Sequence, residues 1–187
     1  MIRMENVARL IERNTLVWER DFEVTPDRLW QAVATKEGLS HWFMPTDAEI
    51  EPGGRFSFGG GWEGTVTVVD PPHRIVFTPD DSGEAFLEFR IEATPTGSHF
   101  TLTDKMGPAA DARKIFGADV PDDLVYQPGG PGTHWSGVAS GYHGFVDALE
   151  GYLTGHDVPF DHDRASLVYV GLLHAWCDGA TRASRRA

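Results

Sequence analysis

The stretch that most constrains the fold is a long amphipathic segment, residues 134–153. Its apolar residues recur every three or four positions, which is the period of an α-helix. Thr133 is suited to cap its N-terminus, and Gly155 is suited to end it. Because most of the preceding chain has the pattern of strands, we expect this helix to cover a sheet. Its apolar stripe consists of Trp135, Val138, Ala139, Tyr142, Phe145, Val146, Leu149, Tyr152 and Leu153.

Small residues form a second stripe on the same helix. A glycine in a helix interior costs about 1 kcal/mol relative to alanine. The stripe therefore favours a close-packing neighbour on this face, although a surface helix that is well anchored on its other face also tolerates glycine. The neighbour would be residues 165–177 of the C-terminal extension or a second subunit. The stripe consists of Gly137, Gly141, Gly144, Ala148 and Gly151.

The chain before this helix alternates with the period of two that is typical of strands. We predict strands at residues 16–24, 47–51, 55–59, 62–70, 74–78, 84–93 and 98–105. Their connections are too short for parallel crossovers, which predicts an antiparallel meander. Thr25 and Pro26 mark the start of one short helix, and residues 36–43 form another. The sequence therefore predicts an α+β fold.

Three segments fall outside this pattern. Residues 1–14 are expected to be a short helix or irregular, and residues 106–132 are a long insertion rich in Gly, Pro, Ala and Asp, with one helical turn near residues 110–116. Residues 165–177 are apolar nearly all round, which favours a buried helix over a strand. We expect one domain over residues 1–155 and an extension, residues 156–187, packed on the same domain.

Composition restricts the class of partner. Acidic residues outnumber basic residues by 28 to 16, which gives a formal net charge of -12. Such a chain is repelled by nucleic acid and by anionic membranes. A single cysteine, Cys177, excludes an internal disulfide and fits a reducing compartment. There is no signal-peptide pattern and no stretch of the ~20 apolar residues that span a membrane. We therefore expect a cytoplasmic protein without a membrane span.

Catalytic and metal-binding signals are weak. No GxSxG motif occurs, and Cys177 lies in an apolar segment where an inert thiol is expected. His143 lies at the border of the apolar stripe, where it either faces a pocket or is satisfied locally. One cluster has ligand types acceptable for a metal, but its spacing matches no established motif and a solvated acidic linker is favoured. That cluster is His156, Asp157, Asp161, His162 and Asp163. We predict no catalytic residue, no metal and no cofactor.

Several local phrases resemble a known superfamily. Residues 25–32 (TPDRLWQA) and 38–43 (GLSHWF) resemble the start of START-like (SRPBCC) domains. Residues 52–56 (PGGRF), 64–66 (GTV) and 70–78 (DPPHRIVFT) resemble the branch named after the activator of the 90-kDa heat-shock protein ATPase. Residues 141–150 (GYHGFVDALE) are similar to that branch's C-terminal helix. The resemblance covers about residues 15–155; the insertion is longer than is usual in the branch, and the extension matches no motif.

This resemblance implies the helix-grip fold, in which a curved antiparallel sheet, two short helices and a long C-terminal helix enclose an apolar cavity. The aromatic residues of the sheet face and of the helix are the candidate lining, although any of them can equally fill the core. The candidate ligand-binding residues are Trp18, Trp30, Trp42, Phe43, Phe56, Phe58, Trp62, Phe77, Phe89, Tyr142, Phe145 and Leu149. A polar residue buried near the cavity would orient a polar ligand end, and the candidates are Arg20, Arg55, Glu63 and Asp104.

Three functions remain open from the sequence. The first is non-enzymatic binding of a hydrophobic or amphipathic small molecule in the cavity. The second is an enzyme of the cyclase or hydrolase type in the same cavity, which needs converging polar groups. The third is a chaperone-cofactor-like interaction protein, which the shortness of the chain disfavours because eukaryotic members carry an additional N-terminal domain. A homodimer through the face of Gly137, Gly141, Gly144 and Ala148 is a further prediction.

Overall fold

One eight-stranded antiparallel sheet forms the centre of the molecule. The computed structural model describes residues 6–12, 14–59, 61–80, 83–107, 131–156 and 158–184. The strands lie in the spatial order β1-β2-β8-β7-β6-β5-β4-β3, and every neighbouring pair is antiparallel. Their bounds are β1 Arg9–Glu12, β2 Thr15–Phe22, β3 Thr46–Ala48, β4 Arg55–Phe58, β5 Trp62–Asp70, β6 Arg74–Pro79, β7 Phe86–Thr94 and β8 Gly97–Lys105.

The described residues form four helices, α1 Pro26–Val33, α2 Lys36–Trp42, α3 Pro131–Thr154 and α4 His162–Ser184. Thr25 caps α1 by accepting a hydrogen bond from the Arg28 amide at 3.3 Å, and Thr35 caps α2 in the same way from the Gly38 amide at 2.9 Å. Gly155 ends α3 at a φ of 73°, a conformation that glycine adopts without strain.

The core lies between α1–α3 and one face of the sheet. Alternate residues of β8 are buried, and Phe100 and Leu102 are fully covered. Leu87, Phe89 and Ile91 of β7 contribute the same face. Aromatic rings meet across this layer, for example Phe43 and Phe89 at a centroid distance of 5.9 Å. The predicted α+β fold, with an antiparallel sheet and a long helix across it, is confirmed.

The prediction for the N-terminal segment and the predicted start of the long helix are wrong, and the strand predicted at residues 47–51 ends at Ala48. Residues 9–12 form a strand that pairs with β2, where a helix or an irregular segment was predicted. A segment of four residues is too short to show a clear alternation of period two. Its pairing with β2 is a tertiary contact, which the local sequence pattern does not contain. Helix α3 begins at Pro131, so Thr133 lies inside the helix instead of capping it. The predicted helical turn at residues 110–116 lies outside the described residues, as do the side chains of Trp135 and Cys177.

Helix α4 packs along α3. The helix predicted at residues 165–177 therefore exists and is longer than predicted, and the alternative of a strand is wrong. Ala165 and Tyr169 are completely buried at this contact. Between the helices, the Ser140 hydroxyl lies 3.0 Å from the Ser166 hydroxyl and 3.0 Å from His162 Nε2. These polar contacts fix the register of α4 on α3.

Candidate functional site

A pocket of about 430 Å³ lies between one end of the sheet and the N-terminal half of α3. The start of β5, the end of β6, the start of β7 and the end of β8 meet at this end, because successive strands run in opposite directions. Side chains of α3 form the opposite wall. The described residues that line it are Met44, Trp62, Pro79, Ala85, Asp104, Lys105, Met106, Gly107, Gly137, Val138, Gly141, Tyr142 and Phe145.

Asp104 is the acidic residue of this lining. Strand alternation places it on the inner face of β8, two residues beyond Leu102, and only 3 % of its surface is exposed. Within the described part of the chain, no hydrogen bond or ion pair reaches its carboxyl group. Burial raises the pKa of Asp104 to about 7, because the charged form loses its hydration without gaining a partner. The pocket therefore contains a carboxyl group that exchanges its proton near neutral pH.

Two other ionisable groups occur among the described residues of the lining. Burial, followed by the charge of Asp104, raises the pKa of the Tyr142 phenol well above its ordinary value, so the phenol is neutral. Lys105 Nζ donates a hydrogen bond to Glu84 Oε2 at 3.1 Å. The ammonium group is therefore directed to a surface carboxylate, and burial alone accounts for the raised pKa of Asp104.

The glycines of α3 divide into two groups. A Cβ atom added to Gly137 or Gly141 would have no described atom within 4 Å, and both residues line the pocket. A Cβ atom on Gly144 would lie 2.7 Å from the Phe160 ring, and one on Gly151 would lie 2.8 Å from the His156 carbonyl oxygen. A close-packing neighbour therefore exists at Gly144 and Gly151, but it is the segment between α3 and α4 and not the predicted residues 165–177. Gly137 and Gly141 instead leave volume open.

Three of the predicted ligand-binding residues, Trp62, Tyr142 and Phe145, line the pocket. The others are buried in the core, none more than 9 % exposed. They are Trp18, Trp30, Trp42, Phe43, Phe56, Phe58, Phe77, Phe89 and Leu149. Sequence reasoning missed the lining residues at strand ends and after α2, such as Met44, Pro79 and Met106. The hydrophobic periodicity of the sequence does not reveal these residues, because they lie outside the helices and strands or at the last position of a strand.

The other polar candidates lie elsewhere. Arg20 is buried on the inner face of β2, where its Nη1 contacts Asp147 Oδ1 at 2.6 Å and Glu150 Oε2 at 3.1 Å. It ties the C-terminal half of α3 to the sheet. Arg55 pairs with Asp80 on the surface at 2.5 Å, and Glu63 is exposed. Of the four candidates, only Asp104 lines the pocket.

His143 belongs to a buried hydrogen-bond network around Tyr169. The Tyr169 hydroxyl accepts hydrogen bonds from the Ala8 amide at 3.0 Å and from Trp18 Nε1 at 3.1 Å. Its own proton is therefore donated to His143 Nδ1, 2.9 Å away. This assignment places the imidazole proton on Nε2, which faces Asp147 Oδ2 at 3.6 Å. Burial raises the pKa of Tyr169 to about 12, which keeps the hydroxyl protonated.

Within the described ranges, no three His, Cys, Asp or Glu residues are arranged to hold a metal ion. Asp157, a member of the candidate metal cluster, lies outside those ranges. Among the described helices, none is both long and apolar enough to cross a lipid bilayer.

Comparison with solved structures identifies the same architecture in bacterial proteins. Protein EF2215 from Enterococcus faecalis, described as a conserved protein of unknown function, is 17% identical with a TM-score of 0.63, and the match covers 92% of each chain. CalU16 from Micromonospora echinospora is 16% identical with a TM-score of 0.61, covering 90% of this chain and 93% of that one. Protein MLL2253 from Mesorhizobium loti is 22% identical with a TM-score of 0.56, and the match covers 77% of this chain and 99% of that one. At these identities the likeness concerns the fold.

Among curated proteins, none matches this sequence. The family model described as "Activator of Hsp90 ATPase homolog 1-like protein" matches residues 23–120, which is more than half of the 187-residue chain. This range covers both short helices, strands β3 to β8 and the sheet side of the pocket with Asp104. The chain therefore belongs to the family of activator of Hsp90 ATPase homolog 1-like proteins.

Proposed function

We propose that this protein binds an apolar or amphipathic small molecule in the pocket between the sheet and α3. The volume of about 430 Å³ falls within the roughly 300–1,000 Å³ of small-molecule sites. Most of the described lining is apolar, with three aromatic side chains and one carboxyl group, that of Asp104, which has no partner among the described residues. This combination of an apolar wall with few polar groups is typical of ligand pockets.

The observation that carries this proposal is the presence of Gly137 and Gly141 in the helical wall of the pocket. Each lowers helix stability by about 1 kcal/mol relative to alanine, and neither is required by a packing neighbour in the described residues. Both face the pocket. Side chains at these positions would fill the space next to Tyr142 and Phe145. The glycines therefore make sense as residues that keep room for a ligand.

The test is to fill the pocket from the helix. Gly141→Leu should abolish saturable binding of the neutral dye N-phenyl-1-naphthylamine, measured by fluorescence titration, while circular dichroism stays unchanged. Gly171→Leu is the matched control, because Gly171 lies in α4 with open space around its Cβ position and does not line the pocket. Dye binding that is equal in both variants and in the unmodified protein would contradict the proposal.

An enzyme in the same pocket is the second candidate. The observation in its favour is Asp104, whose pKa of about 7 suits a group that accepts and releases a proton at physiological pH. The Tyr142 phenol is a second polar group in the lining. Recovery of a bound compound in chemically altered form, with loss of the conversion in Asp104→Asn, would favour this candidate over simple binding.

The chaperone-cofactor alternative gains no comparable observation. The large apolar side chains exposed among the described residues are Ile11 on β1 and Leu167 on α4, each 55% exposed. Single exposed apolar residues are normal on protein surfaces. The homodimer also stays a prediction: Gly144 is covered by Phe160 of the same chain, and Ala148 is exposed.

A further inference from the structure

The unusual feature of the pocket is a buried carboxyl group that has no counter-charge among the described residues. Asp104 is 3 % exposed, and its neighbours across the sheet are Leu16 on β2 and Leu87 on β7. A carboxyl group in such surroundings is destabilising unless it is neutralised or paired. The fold offers it no partner among the described residues, whereas the pocket gives a ligand access to it.

The chemistry of the lining discriminates between ligand head groups. A ligand carboxylate would be repelled by ionised Asp104, and the nearby Lys105 ammonium is already bonded to Glu84. A neutral hydroxyl group can form one hydrogen bond with Asp104. An ammonium group adds charge attraction to that hydrogen bond, and such charge-assisted bonds are about twice as strong as neutral ones.

The aromatic part of the lining favours the same head group. Trp62, Tyr142 and Phe145 line the pocket together with Asp104, and cations are attracted to the faces of aromatic rings. The formal net charge of the chain, -12, also raises the local concentration of cations at the surface. The carboxylate, the aromatic rings and the overall negative charge therefore all favour a cationic head group on the ligand.

We propose that the natural ligand of this pocket is an amphipathic amine, whose protonated nitrogen pairs with the Asp104 carboxylate and whose apolar part lies against Trp62, Tyr142 and Phe145. This inference rests on the proposed function, since it requires that the pocket binds a ligand. It adds the chemical class of that ligand and the residue that selects it.

Binding of this kind is coupled to a proton. Asp104 has a pKa of about 7, so the amine-binding carboxylate is only partly populated at neutral pH. The other ionisable groups that line the pocket among the described residues are Tyr142 on α3, which is neutral, and Lys105, which is paired with Glu84. Amine affinity should therefore rise about tenfold between about pH 6 and about pH 8.

The experiment uses three probes that differ only in the head group: 2-phenylethylamine, 2-phenylethanol and phenylacetate. Each is titrated by calorimetry into the full-length protein at about pH 8 and tested for displacement of the neutral dye. The amine should bind at least about tenfold more tightly than the alcohol, and phenylacetate more weakly than either. The amine should also release a proton on binding at about pH 6, which is read from the buffer dependence of the heat.

Asp104→Asn should remove the preference for the amine and its pH dependence while the alcohol still binds. Asp70→Asn is the matched control, because Asp70 is an exposed residue at the opposite end of β5 and the change in charge is the same. Equal affinities of amine and alcohol in the unmodified protein would overturn the amine assignment and leave ligand binding standing. If the unmodified protein binds the neutral dye but none of the three probes binds or displaces it, the amine assignment is overturned and ligand binding still stands. Absence of saturable binding of the dye and of all three probes would overturn both proposals.

Discussion

At the scale of single residues, Asp104 combines two properties that rarely occur together in a core. It continues the inner face of β8, and yet its carboxyl group has no protein partner among the described residues. Polar groups in such positions usually lower stability and are tolerated where they serve a site. The location of Asp104 in the pocket lining fits this rule.

The raised pKa of Asp104 has a defined effect on folding. Its pKa is 3.8 before burial and about 7 in the fold, so between these values the unfolded chain loses the proton that the folded chain retains. The contribution of Asp104 to the free energy of unfolding should therefore fall by about 1.4 kcal/mol per pH unit across this window and stay low above it. Asp104→Asn should be more stable than the unmodified protein at about pH 8, by roughly 2–4 kcal/mol.

Urea denaturation at about pH 5 and about pH 8 measures this difference, with Asp70→Asn as the control. The comparison between variants isolates the effect of Asp104 from the effects of all other ionisable groups. A variant with the same pH dependence as the unmodified protein would show that the Asp104 carboxyl group is solvated or paired.

At the scale of elements, α3 has two different glycine environments along one stripe. Gly141 faces open volume, and Gly144 faces the Phe160 ring. The sequence period gives these positions the same pattern, and the difference arises only because the chain turns at Gly155 and returns Phe160 over the helix.

This difference predicts opposite effects of the same substitution. Gly144→Leu should lower the free energy of unfolding by about 1–3 kcal/mol because the core is overpacked, whereas Gly141→Leu should be neutral or stabilising because it improves helix propensity. In a double-mutant cycle, Phe160→Ala should recover part of the loss at Gly144. Additive effects of Gly144→Leu and Phe160→Ala would contradict the contact.

The elements were largely predictable, and the site was predictable only in part. The alternation in β8, which is less regular in β2 and β7, and the period of α3 identified the sheet and its covering helix. The same alternation marked Asp104 as facing inward, but also Arg20, which forms ion pairs with α3 instead. Which inner-face residue reaches a pocket depends on where α3 crosses the sheet. That placement follows from tertiary packing, which no local pattern contains.

At the scale of the whole molecule, the Tyr169 hydroxyl joins distant parts of the chain. It contacts the Ala8 amide before β1, the Trp18 indole in β2 and His143 in α3. We propose that residues 156–187 are therefore part of the same cooperative unit as the sheet.

Removing this hydroxyl should be costly. Tyr169→Phe leaves two buried donors and one buried acceptor without their partner, and each such group costs about 1–3 kcal/mol. We expect a loss of at least roughly 2 kcal/mol in the free energy of unfolding, together with faster hydrogen exchange in both α4 and β1. Tyr152→Phe is the control, because Tyr152 is only half-buried. Faster exchange confined to α4 would show that the extension unfolds independently.

The position of Trp18 has a consequence for how this protein diversifies. The centroid of its ring lies 5.2 Å from that of Tyr142 in the pocket wall. Its indole nitrogen donates a hydrogen bond to the Tyr169 hydroxyl in α4 at 3.1 Å. A substitution at this one residue alters the wall behind the pocket and the attachment of α4 at once. Sequence drift that reshapes the pocket through Trp18 is thus constrained by the need to keep α4 in place, whereas Met44, Met106 and Val138 line the pocket directly.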